Sequence, residues 1–168
     1  MGELVSGDDT MDSTVMDEEA FFERLYAERH KMFAIALSYL RKENDALEVV
    51  QEASCRAWMK RGKLRDEQFF SSWIIRITLN CCVDELRRRK RMLPVDNIDE
   101  GTAQEMRSND RIDLERALEH MKPKYRHVVT LKYYQDLTIA QIAQVLRKPE
   151  GTVKTWLRTA LKQLRDHL

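Results

Sequence analysis

Residues 136–168 read DLTIAQIAQVLRKPEGTVKTWLRTALKQLRDHL. Apolar side chains recur there at helical spacing, first Ile139, Ile142, Ala143 and Leu146, then Val153, Leu157, Ala160, Leu161 and Leu164. Between the two runs sits a breaker, Arg147-Lys148-Pro149-Glu150-Gly151. Thr138 can cap the first helix, because its hydroxyl can accept from an amide of the first turn. Pro149 stops that helix, and Glu150, Gly151 or Thr152 begins the next. Two short helices joined by a tight turn, the second one basic, form a helix-turn-helix pattern.

In such a motif the first helix and the rear of the second bury their apolar faces together. The front of the second helix is left free to enter a major groove, which admits one helix. Thr152, Lys154, Thr155, Arg158 and Lys162 line that free face or its edges. Their hydroxyls, ammonium groups and guanidinium suit phosphates and base edges. The pattern alone fits two readings, a DNA-reading helix and the solvated face of an ordinary helical hairpin.

Working outward, the chain is 168 residues long with 34% charged side chains, only five glycines and three prolines. Strand-like alternation is scarce, so the expected class is all-α. The net charge of +1 hides a segregation. No Lys or Arg occurs before Arg24, Arg87-Arg88-Arg89-Lys90-Arg91 is an unbroken basic block, and 96–113 is mostly acidic. Separate basic regions point to a polyanion touched in two places. Cys55, Cys81 and Cys82 have neither disulfide nor metal spacing, and the four histidines are scattered. No metal or cofactor is expected. No apolar run reaches membrane-spanning length and the acidic N-terminus is no signal peptide, so the expected location is cytoplasmic.

In chain order, residues 1–16 read as an acidic disordered tail, either a mere tail or an autoinhibitory segment over a basic face. Asp17 opens a helix with Glu18 and Glu19 against its dipole. Asp45 is expected to cap the next, with Ala46, Val50, Ala53 and Ala57 on one face. Glu48, Gln51 and Glu52 lie on the other, which by itself reads as solvent surface. After a polar loop at 61–66, residues 69–91 read as one long helix, apolar on most of its circumference and therefore central. The cations at its end exceed what a helix C-terminus requires and suggest nucleic-acid contact. Pro94 breaks it, and 94–112 reads as a flexible acidic linker. Helix returns with Leu114, Ala117, Leu118 and Met121. Pro123 starts another, with Tyr125, Val128, Val129, Leu131 and Tyr133 or Tyr134 as its apolar set.

Three stretches together resemble bacterial RNA polymerase sigma factors of the extracytoplasmic-function (ECF) class. They are Asp45-Ala46-Leu47-Glu48-Val49-Val50-Gln51-Glu52, then Trp73-Ile74-Ile75-Arg76-Ile77 with Asn80, Asp84 and the 87–91 block, and finally Gly151-Thr152-Val153-Lys154-Thr155. The resemblance implies two small helical domains. A sigma-2-like bundle at 17–93 would bind core polymerase and recognise and melt the −10 element, and a sigma-4-like helix-turn-helix domain at 113–168 would recognise the −35 element. It changes the reading of Asp45, Glu48, Gln51 and Glu52 to a surface that docks on the β′ clamp helices. Arg76, Asn80, Asp84, Arg87 and Arg88 would hold the −10 strand, with Asn80 and the loop at 61–68 receiving an unstacked base. Thr152, Lys154, Thr155, Arg158 and Lys162 would read the −35 duplex. Implied partners are core RNA polymerase, including its β flap, promoter DNA and an anti-sigma factor, which in this family is often a membrane protein with a cytosolic domain. No direct membrane insertion and no catalysis of its own are implied.

The chain departs from the family pattern in places. Trp156 and Thr159 stand where Arg is usual, and Arg147 where Gly is common. The helical spacing of Trp156 from Val153 and Ala160 suits core, and its place on the reading helix suits DNA. Two rival functions are weighed against the sigma reading. A conventional helix-turn-helix regulator would bind a palindromic site as a dimer, and needs neither the 45–52 face nor the Asn80 helix. A helical enzyme would need a metal cluster or phosphate loop, and no such pattern is present.

Overall fold

A computed structural model describes residues 15–92 and 109–168. Residues 1–14 of the expected tail and 94–108 of the expected linker lie outside the described residues. Among the described residues there is no strand. Seven α-helices follow one another: α1 (Glu18–Leu40), α2 (Glu43–Lys60), α3 (Phe70–Met92), α4 (Asn109–His120), α5 (Pro123–Val129), α6 (Ile139–Leu146) and α7 (Glu150–His167).

The N-terminal bundle is α1, α2 and α3 packed on one another. Asp17 caps α1 as its sequence predicts, accepting from the Ala20 amide at 2.8 Å. The two apolar runs of 21–40 are one continuous helix, which ends where Arg41 turns left-handed at φ 63°. Phe21 sits at the centre of an aromatic cluster, edge-on to Trp58 and Phe70 at 5.3 and 5.8 Å between ring centroids. Burying its ring stabilises the bundle by roughly 2–3 kcal/mol. The long central helix is as expected: Trp73, Ile74, Ile77, Leu79, Cys81 and Cys82 are all buried.

In the C-terminal half, α4, α5 and α6 each pack against α7. Thr138 and Gln141 form a reciprocal capping box at the start of α6, with contacts of 3.2 and 2.9 Å. Arg147 then takes the left-handed conformation, φ 53°, that ends the helix and makes the turn into α7. The turn thus keeps its geometry although Gly is absent.

Some expectations change. Helix α2 begins at Glu43, so Asp45 lies within its first turn instead of capping it, and Lys42 at the cap makes no side-chain bond. Val49, not Val50, is buried with Ala46, Ala53 and Ala57, while Val50 is partly buried at the edge of the core. Met16 is buried, so the tail reading fails at its last residue. Helix α4 starts at Asn109, within the stretch read as linker. Tyr133 and Tyr134 are 58% and 52% exposed. A widened turn over Thr130–Tyr134, closed by Gln135 N to Thr130 O at 3.2 Å, rotates them off the core face. Leu161 is 40% exposed, whereas Val145, which the periodicity missed, is buried.

The two halves also touch. Helix α3 lies on α6, and the buried residues of both halves form one continuous apolar cluster.

Candidate nucleic-acid interface

Helix α3 brings Arg76, Asn80, Asp84, Arg87 and Arg88 to one stripe, because steps of three and four residues return to the same side of a helix. The opposite side is core, so the stripe stands on a rigid base. Asn80, Asp84, Arg87 and Arg88 are exposed and Arg76 is half-buried. Several of these groups already have partners. Arg56 of α2 donates to Asp84 at 2.7 Å and to Glu52 at 2.9 Å. Glu85 accepts twice from Arg88, at 2.7 and 2.9 Å, and once from Arg89 at 3.0 Å. Those bonds, Arg88's foremost, hold the Glu85 carboxyl below the usual range. Arg76 donates to the Val145 carbonyl of α6 at 3.2 Å.

On α2, Glu48, Gln51 and Glu52 are exposed, while Asp45 is half-buried and paired with Arg89 at 2.9 Å. Asp45, Glu52 and Arg56 share the edge of α2 that runs beside α3. Two of the four side chains assigned to docking are therefore tied to the arginines that flank the stripe. Sequence reasoning missed Arg56 and Arg89 in this role. Their spacing from Glu52 and Glu85 hints at pairs within each helix, but the cross-helix partners depend on packing.

Helix α7 presents Lys154, Arg158 and Lys162 as an exposed row at four-residue intervals. Thr155 is exposed and its hydroxyl donates to the Gly151 carbonyl at 3.0 Å, leaving its oxygen able to accept. Thr152 is half-buried at the edge of the row. Trp156, one turn on, is half-buried against the core with the Lys124 ammonium 5.4 Å from its ring centroid. It faces α5 and a cleft between the halves, away from the cationic row. That cleft, about 580 Å³, is lined by Asn80, Asp84 and Arg87 on one side and Lys124, Lys148 and Trp156 on the other.

The thiols are not part of any site. Burial pushes Cys81 up to about 11 and Cys82 up to about 12, so both stay protonated, and Cys55 is exposed and free. Among the described residues no cluster of His, Cys, Asp and Glu could hold a metal. No described helix is long and apolar enough to cross a membrane.

Two family models match the chain, Sigma-70 region 2 over residues 25–92 and Sigma-70, region 4 over residues 111–164. The first spans the α2 face and the α3 stripe, and the second spans the helix-turn-helix. The chain is 30% identical over 137 residues to the ECF RNA polymerase sigma factor SigM of Mycobacterium tuberculosis, covering 80% of this chain and 70% of that one. It belongs to the ECF sigma factors.

Another relative is the RNA polymerase sigma factor SigV of Bacillus subtilis, 28% identical over 145 residues, covering 83% of this chain and 86% of SigV. The fold is that of the sigma factor RpoE solved with the anti-sigma factor NepR from Bartonella quintana. That likeness has a TM-score of 0.63 at 22% identity and covers 88% of this chain and 95% of RpoE. As an ECF sigma factor, the chain is an alternative initiation factor that directs promoter-specific transcription by core RNA polymerase.

Proposed function

We propose that three surfaces of this sigma factor divide the work of initiation. The outer face of α2, formed by Glu48, Gln51 and Glu52 with Asp45 at its edge, docks on the β′ clamp helices, and the C-terminal half meets the β flap. The stripe of Arg76, Asn80, Asp84, Arg87 and Arg88 on α3 captures the unpaired −10 strand, and Asn80 with the loop at 61–68 takes a flipped base. Unpaired bases expose edges that a duplex hides, so capture stabilises the melted state. Lys154, Arg158 and Lys162 of α7, with Thr152 and Thr155, hold the −35 duplex by phosphate and base-edge contacts. The chain performs no catalysis and acts in the cytoplasm. An anti-sigma factor restrains it, a reading supported by its fold likeness to a sigma factor solved with one.

The observation that carries this division is the coexistence, on separate helices, of a polar stripe rooted in a bundle core and an exposed cationic row on the second helix of a helix-turn-helix. A dimeric regulator has no use for the first. Run-off transcription with core polymerase and a genomic promoter library tests the reading. A transcript start that requires the protein is expected, and Gln51→Ala with Glu52→Ala should weaken polymerase binding severalfold without unfolding the chain. Failure to co-elute with core polymerase, together with dimeric binding to an inverted repeat, would overturn it.

A further inference from the structure

Residues 61–68 join α2 to α3 as a polar surface loop. Such a loop is mobile unless something outside it fixes its backbone. Here α1 supplies the fixing. Arg24 donates through Nη1 to the Glu67 carbonyl at 2.8 Å and through Nη2 to the Glu67 carboxylate at 3.1 Å. One planar guanidinium thus holds both the main chain and the side chain of a single loop residue, which fixes direction as well as distance. At the other end of the loop, the Arg61 guanidinium lies 3.6 Å from the Trp58 ring centroid and donates to the Trp58 carbonyl at 2.8 Å. Trp58 is in turn stacked with Phe22 of α1, 5.3 Å between centroids. Between these anchors Leu64 packs on the core. The first two turns of α1 therefore hold the loop at both ends.

Within this frame the polar groups of the loop are aimed. Asp66 accepts from the Gln68 main-chain amide at 3.1 Å and from Gln68 Nε2 at 2.7 Å. A carboxylate only accepts, so the NH2 end of the Gln68 side chain is the end that faces Asp66. Gln68 Oε1 and one N–H are left for a base edge, and Lys63 and Arg65 are exposed for phosphates. Arg24 grips Glu67, the residue between Asp66 and Gln68. Releasing Glu67 would let both neighbours turn, and with them the edge that Gln68 presents.

We infer, on the assignment of the 61–68 loop to a flipped base, that Arg24 is a positioning residue for −10 recognition. By fixing the Glu67 main chain it sets which base edge the loop accepts beside Asn80. Arg24 acts on the loop and not on DNA. The Arg24 and Glu67 side chains are 43% and 55% exposed. Ion pairs so exposed add little to stability, so removing this one leaves the fold intact and changes only where the loop sits.

The test uses the full-length chain in holoenzyme and fork-junction DNAs carrying each of the four bases at every unpaired −10 position of the non-template strand. Arg24→Ala and Arg24→Lys are compared with Arg29→Ala, a control of equal charge change. The Arg29 guanidinium lies 3.5 Å from the Tyr26 ring centroid and donates to the Tyr26 carbonyl at 2.8 Å, so its contacts stay within α1. With Arg24→Ala, the ratio of affinities between the best and worst base at the captured position should fall about threefold to fivefold. Tm and affinity for core polymerase should be unchanged. Arg24→Lys should recover part of the ratio, since an ammonium can hold the carbonyl or the carboxylate but lacks the planar fork for both. Arg29→Ala should keep the ratio whole. A ratio that survives Arg24→Ala, or that Arg29→Ala lowers equally, overturns positioning by Arg24. Asn80→Ala shows which idea has failed. If it weakens capture while Arg24→Ala changes nothing, only the positioning falls; if neither variant alters capture or preference, the assignment of the loop and of Asn80 falls as well.

Discussion

The two faces proposed to read DNA in this sigma factor are built differently. On α7, Lys154, Arg158 and Lys162 stand free on an exposed row. On α3, Asp84, Arg88 and Arg76 are engaged by Arg56, Glu85 and Val145 respectively. A row that reads duplex meets a partner of fixed shape and can be presented ready-made. A stripe that captures unpaired bases has no partner until the duplex opens. Internal bonds keep its side chains placed and its charges satisfied until then. The comparison predicts that damage to α3 shows late, in melting, whereas damage to α7 shows early, in duplex binding.

The largest effect expected is from Asn80→Ala. Loss of hydrogen bonding to one captured base should cost about 1–3 kcal/mol, or about fivefold to 150-fold in open-complex formation. Initial binding to closed duplex should be unchanged. Permanganate reactivity of the melted thymines, set against closed-complex affinity, separates the two steps. Equal loss in both would erase the proposed difference between the faces.

Arg56→Gln probes the internal bonds themselves. It breaks the bridge from Glu52 to Asp84 and leaves an uncompensated carboxylate on the stripe. With Arg56 partly exposed, the effect is at most about fivefold on fork-DNA capture. Adding Asp84→Asn should restore capture if Arg56 acts by neutralising Asp84. A double variant as weak as the single one would show that Arg56 serves only the packing of α2 on α3.

What the sequence made legible follows the same division. The helix-turn-helix was readable because its signals are local: Thr138 as a cap, Pro149 at the break, and apolar residues at helical steps. The central position of α3 was readable because most of its circumference is apolar. The partners of the α3 stripe were not. Arg56 meets Asp84 across 28 residues, Arg89 meets Asp45 across two helices, and Arg126 meets the end of α1 across 87. Periodicity reports which side of a helix is buried, but not which neighbour lies there. Tyr133 and Tyr134 were misplaced for a related reason: a widened turn shifts the helical phase by one residue, and no residue in 130–134 announces it.

On α7 the expected effects are smaller. Arg158→Ala removes one exposed cation from a row of three. Duplex −35 affinity should fall by about 1 kcal/mol, and the slope of log affinity against log salt should shrink by about 1 if a phosphate contact is lost. Promoter melting, measured once the complex has formed, should be unaffected. An unaltered salt slope would remove Arg158 from the row and weaken the contrast with α3.

The smallest change, Arg147→Gly, asks whether the turn between α6 and α7 is a geometric element or part of the DNA face. Arg147 sits at φ 53°, where a side chain costs about 1–2 kcal/mol. Glycine relieves that strain but loses more entropy on folding, by about 0.5–1 kcal/mol, so the net gain should be below about 1 kcal/mol. For a chain of this size that corresponds to a rise of at most about 2–4 °C in Tm, readable by differential scanning calorimetry. Arg147 is exposed, and its charge also lowers the pKa of the half-buried Arg76 guanidinium, second to burial itself. Removing it should therefore tighten the contact between Arg76 and Val145 slightly and leave the −35 salt slope unchanged. A stabilised variant with a reduced slope would instead extend the cationic row of α7 back into the turn, making the duplex-reading face larger than its helix.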